Sequence, residues 1–119
     1  MLTTNLVEGT NIVTASYSGS VASEEMDQLH STTRQVVDRE GSVRMMLEFD
    51  DTESDGILPK GYVEDLQMAG ILSGVKRLAL VTDSTWIRGN AELFTAVIEG
   101  PVKNFTTDNR DEALTWLQE

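Results

Sequence analysis

The chain has 119 residues, 39% of them hydrophobic and 24% charged, and its 20 acidic residues outweigh 9 basic ones to leave a formal charge of -11. It has no cysteine, which rules out disulfides, thiolate metal sites and cysteine nucleophiles. The acid excess repels phosphate backbones and anionic membranes, and only Lys76 and Arg77 place two cations side by side, so no nucleic-acid partner is predicted.

In chain order, a piece around NLVEG reads as a first strand, joined through the turn-prone residues 8–11 to a hairpin partner. That partner, IVTASYSG, sets Val13, Ala15 and Tyr17 on one side and Thr14, Ser16 and Ser18 on the other, a half-buried strand closed by Gly19. SEEMDQLHSTTRQVVDREG follows as a helix. Ser23 is its expected cap, Glu24, Glu25 and Asp27 suit its positive end, and Met26, Leu29, Thr33, Val36 and Val37 trace one face up to a stop at Gly41. VRMMLEF alternates again, with Val43, Met45, Leu47 and Phe49 expected inward and Arg44, Met46 and Glu48 outward.

A loop rich in carboxylates comes next, and Pro59 then suits the first position of a second helix that carries Tyr62, Val63, Leu66, Met68 and Ala69. RLALVTD is apolar without alternation from 78 to 81, as in a strand with both faces buried, and is placed centrally. Asp83 or Ser84 is the expected cap of a third helix bearing Trp86, Ile87, Leu93, Phe94, Val97 and Ile98. PVKNFTTD returns as a short strand whose Pro101 argues for an edge or a strand start. Asp108 or Asn109 then caps a last helix, docked through Ala113, Leu114, Trp116 and Leu117. The order β-β-α-β-α-β-α-β-α predicts an α/β fold: a five-stranded, mostly parallel sheet with an N-terminal antiparallel hairpin and four helices, in one domain over residues 1–119. No apolar run approaches the roughly 20 residues of a membrane span. The opening MLTTNLVEG has neither a basic region nor an apolar core, so membrane insertion is not expected and a cytoplasmic protein is.

The order and several local signatures together resemble the SpoIIAA-like, or STAS (sulfate transporter and anti-sigma-factor antagonist), family. They are Y-x-G at 17–19; Glu25, Met26 and Leu29 in the first helix; a strand ending in Asp at 47–50; V-E-D-L at 63–66; a second strand ending in Asp at 80–83; and Phe105 with E-A-L-T-W-L at 112–117. The resemblance implies the STAS fold and a regulatory role through protein contacts. In the anti-sigma antagonists a serine in D-S-S-G or D-S-T-G accepts a phosphate, which makes Ser54 in E-S-D-G (53–56) the phosphorylation candidate here. Glu53 and Asp55 flank that serine, and both repel an incoming phosphate.

The same loop carries a cation candidate. Counted from Asp51, the residues Asp51, Glu53 and Asp55 fall at positions 1, 3 and 5 of a calcium-loop pattern with Gly56 at 6, but position 12 is Tyr62 rather than a bidentate glutamate. A solvated acidic turn capping the next helix accounts for the same residues. Asp50, Asp51, Asp83, Ser84 and Lys103 supply the residue types of a phospho-receiver in the wrong chain order. His30, the one histidine, lies beside the apolar stripe of its helix, and no Gly-x-Ser-x-Gly elbow or phosphate-cradling glycine loop occurs. Trp86 near the strand ends could line an apolar pocket with Phe49, Leu58, Tyr62, Met68 and Phe94, with Met45 and Met46 as adaptable walls, although ordinary core explains the same spacing.

These readings converge on a non-enzymatic binding or regulatory module without a cofactor. It acts through contact with a protein partner or with its own copy as a homodimer, over a face joining residues 50–60 to 84–88. The rival is a carrier of a small apolar ligand or lipid, which needs an enclosed pocket of about 300 Å³ or more.

Overall fold

Five runs with strand chemistry assemble into one sheet in the order β1-β2-β3-β4-β5, the order in which the chain makes them. The computed structural model describes residues 1–17, 22–49, 74–83, 98 and 100–119. The strands are β1 (Leu2–Leu6), β2 (Ile12–Tyr17), β3 (Val43–Phe49), β4 (Val75–Thr82) and β5 (Val102–Phe105). β1 runs antiparallel to β2, and every later pair is parallel. The expected hairpin and mixed sheet are both present. Two helices are described, α1 (Ser23–Glu40) and α2 (Arg110–Gln118), the latter entered through a 3-10 turn at Thr107–Asn109. The expected second and third helices lie outside the described residues.

The hairpin turn closes where the Val7 amide donates to the Ile12 carbonyl and Thr10 folds back onto Val7 through its amide and hydroxyl. Gly9 holds φ of 78°, a left-handed conformation that favours glycine at this corner. α1 ends as expected, with Gly41 at φ 83° and its amide donating to the Val37 carbonyl at 2.7 Å. Its start differs from expectation. Ala22, not Ser23, is the N-cap, and the Glu25 carboxylate reaches back to accept the Ala22 amide at 3.0 Å.

Two apolar layers follow from strand pleating. Val13, Ala15, Tyr17, Met45, Leu47, Phe49, Leu78 and Leu80 face α1, where Leu29 and Val36 meet them. Ile12, Met46, Ala79, Val81 and Phe105 face the other way and pack on Ala113 and Leu117 of α2. The tetrapeptide 78–81 is at most 2% exposed, split between both layers, and β4 sits between β3 and β5. The expectation of a strand with both faces buried holds.

The outward assignment of Met46 does not. This side chain is fully buried, because α2 covers the face on which Arg44 and Glu48 also lie. Those two neighbours stay half-buried by finding polar partners at the strand ends. β2 is likewise drier than a half-buried strand, with Ile12 and Thr14 covered as well. β5 meets both parts of its expectation: it begins directly after Pro101 and forms a margin of the sheet.

Glu25 also ties the two ends of the first layer together, since its second oxygen accepts the Leu2 amide at 2.9 Å. The Ala22 amide foremost, then the Leu2 amide, hold its carboxyl below the usual carboxylate range, with the N-terminal ammonium adding to this and partial burial opposing it. A carboxyl whose pKa is depressed on folding stabilises the fold above its unfolded pKa, and that contribution is lost as pH falls through the lower folded value. Glu25→Gln is therefore expected to melt below the wild-type temperature at neutral pH. The two melting curves converge on acidification, as a pH series of thermal scans will show.

Candidate functional site

The carboxyl ends of parallel strands, where open α/β sheets gather ligands, place Tyr17, Phe49 and Thr82 side by side. Tyr17 and Phe49 are stacked, with centroids 4.9 Å apart and planes 16° from parallel, and both are 1% exposed. Of the eleven residues that sequence reasoning proposed for sites, Phe49 alone is described, and it is a core ring under this rim. Asp51, Glu53, Ser54, Asp55, Leu58, Tyr62, Met68, Ser84, Trp86 and Phe94 lie outside the described residues. Met45 and Met46, the suggested pocket walls, point into opposite layers of the core.

Polar contacts brace the same rim. Ser16 donates its hydroxyl to Glu48 at 2.8 Å, and the other Glu48 oxygen pairs with the Arg110 guanidinium at 3.1 Å, linking β2 and β3 to the first residue of α2. Asp83, at the end of β4, accepts both the amide and the hydroxyl of Thr107, at 3.1 and 2.6 Å. These pairings hold the entry of α2 and leave the carboxylates engaged. Among the described residues no group of three or more histidine, aspartate and glutamate side chains converges as a metal site requires.

A second arrangement went unnoticed in the sequence. On the β5 and α2 surface an open groove of about 360 Å³ is lined by Lys103, Phe105, Asp111, Glu112, Thr115, Trp116 and Glu119. Alternation puts Lys103 and Phe105 on one side of β5, and helical spacing stacks 112, 115, 116 and 119 along one side of α2. Trp116 docks α2 as expected, packing on the layer of Ala113 and Leu117. It is also half-exposed to the groove, its ring tilted 51° to Phe105 at 6.1 Å, with the Lys103 ammonium 5.3 Å from the Phe105 centroid and 6.0 Å from that of Trp116.

The opposite end of α2 is pinned by two arginines. Arg44 and Arg77, register neighbours on β3 and β4, donate to the carbonyls of Leu117 and Trp116, and Arg77 also lies 5.2 Å over the Trp116 ring. Cations belong at a helix C-terminus, where the last carbonyls lack partners of their own. Arg77→Ala is expected to cost about 2 kcal/mol in urea unfolding, through a lost charged hydrogen bond and a lost ring contact. Arg77→Lys recovers only part of it, because the forked donor is gone.

Across this architecture a family model described as SpoIIAA-like matches residues 12–118, from the start of β2 to the end of α2. The chain belongs to the SpoIIAA-like family. The sequence resemblance thus holds over nearly the full length, and the mixed sheet with its N-terminal hairpin agrees with the STAS fold it implied. No curated protein matches the chain. Among the described residues of this SpoIIAA-like chain, no helix is long and apolar enough to cross a membrane.

Proposed function

We propose that this SpoIIAA-like chain is a cytoplasmic, non-enzymatic binding or regulatory module that acts by contact with a protein partner. The observation that carries the reading is the open β5–α2 groove. It holds a half-buried tryptophan beside a second ring, rimmed by one ammonium and by the carboxylates of Asp111, Glu112 and Glu119, which have no partner among the described residues. Protein contact sites combine such an aromatic anchor with a charged rim. A carrier, in contrast, needs an enclosed chamber. Side chains fill both described faces of the sheet, which supports contact over carriage. Residues 50–60 and 84–88, with Leu58, Ser84 and Trp86, follow β3 and β4 in the chain and lie outside the described residues; they remain part of the proposed contact face.

Native mass spectrometry of freshly purified protein tests the reading. The expected spectrum contains polypeptide mass alone, as a monomer or a multiple of it. A retained small molecule, released on gentle activation, would overturn the contact reading in favour of a carrier.

A further inference from the structure

The two margins of the sheet are built differently. β5 is preceded by Pro101 and carries Lys103, two features that discourage another strand from adding to an edge. β1 has neither. Its residues Leu-Thr-Thr-Asn-Leu are uncharged in a chain of net charge -11. The exposed large apolar side chains among the described residues, Met1 at 63% and Leu6 at 36%, lie at this same margin.

Hydrogen-bond direction shows which groups β1 offers. Val7 donates to Ile12 across the hairpin, so in the β1–β2 register the odd positions Thr3 and Asn5 turn their backbone groups toward β2. The Leu2 amide points away from β2 to Glu25, and by the same alternation Thr4 and Leu6 present their amides and carbonyls outward. β1 pairs with β2 alone among the described strands.

We propose that β1 is a self-association edge, on which a second copy of this chain adds its own β1 antiparallel about a two-fold axis at Asn5. The two sheets then join into one of ten strands. This register pairs Thr4 with Leu6 of the other copy twice over, four ladder hydrogen bonds in all, and sets the two Asn5 side chains opposite one another. A register centred on Thr4 would need the Leu2 amide, which Glu25 already occupies. Leu6 becomes covered by Thr4 of the second copy. Charge selects the same surface. Two chains of charge -11 repel one another over most of their surface and approach at least cost along the uncharged stretch from Thr3 to Leu6, beyond the Leu2 end that Glu25 occupies. Self-association therefore strengthens as salt screens the repulsion.

This inference goes beyond the partner contact at β5 and α2, which lies at the opposite margin, and does not depend on it. Sedimentation velocity over a concentration series, at low and high salt, tests it. The wild type is expected to show a monomer–dimer equilibrium that moves toward dimer in high salt. Asn5→Lys places two ammonium groups face to face and is expected to abolish the dimer. At concentrations where both proteins are monomeric its melting temperature should match the wild type, because the Asn5 side chain is exposed. Leu6→Pro removes an outward amide and is expected to abolish it too. A wild type that stays monomeric throughout, or an Asn5→Lys variant that dimerises like the wild type, would overturn the proposal. A bare monomer in native mass spectrometry defeats this inference and leaves the contact reading standing, whereas a ligand-bearing dimer sensitive to Asn5→Lys does the reverse.

Discussion

Alanine at position 100 is expected to cost about 3 kcal/mol of stability, lowering the melting temperature by about 10 °C or more. A Cβ built on Gly100 would lie 1.8 Å from the Lys76 carbonyl oxygen and 2.3 Å from its carbon. Both atoms are backbone, at the second residue of β4, so no rotamer change relieves the clash. Either the approach to β5 or the start of β4 must move. The contact is close because the Pro101 carbonyl accepts the Leu78 amide at 3.0 Å, which draws the chain against β4 just before β5 begins. Gly74 makes an instructive control: its added Cβ would meet the Val37 side chain at 2.9 Å, a group that can turn aside, so Gly74→Ala should cost less. Urea unfolding of the two variants measures the difference, and equal midpoints for wild type and Gly100→Ala would contradict the packing described.

Aspartate at position 46 is expected to do more damage still, above about 4 kcal/mol, a large share of the 5–15 kcal/mol typical of a whole domain. Met46 is fully enclosed by the layer that includes Ala79, Val81, Ala113 and Leu117, where a carboxylate would be cut off from solvent among apolar side chains. The substitution separates two views of β3. If the Arg44, Met46 and Glu48 face were wet, aspartate would be nearly silent. If α2 seals it, the variant melts far below the wild type or fails to fold. Met46→Leu, which keeps the volume, should stay within about 1.5 kcal/mol and shows that burial, not methionine itself, is what matters.

That face also marks where the sequence was legible and where it misled. The run Leu78, Ala79, Leu80, Val81 reads as a strand dry on both sides and is one, and Gly41 and Pro101 mark real boundaries. On β3 the polar–apolar–polar pattern looked like solvent because the two charged residues flanking Met46 are at the strand ends. There a guanidinium reaches the Leu117 carbonyl and a carboxylate reaches Ser16 and Arg110. Periodicity registers polarity and does not say that a long side chain has met a helix end. The cap of α1 shifted for a related reason: the Glu25 carboxylate accepts the amide of Ala22, the residue before the expected cap, and binds β1 at the same time. The β5–α2 groove could have been found, since each half follows from its own spacing. Joining the halves required knowing that the last helix lies across the last strand, a tertiary fact that neither period contains.

Two dry faces on β3 and β4 underlie both the fold and the assignment of function to its margins, and amide hydrogen exchange tests them most directly. The amides of 45–47 and 78–81 should be the slowest in the chain, exchanging only through global unfolding, and their exchange free energies should match the stability from urea unfolding. Rapid exchange of either segment while the rest of the sheet stays protected would mean that water reaches its middle, and the account would fail.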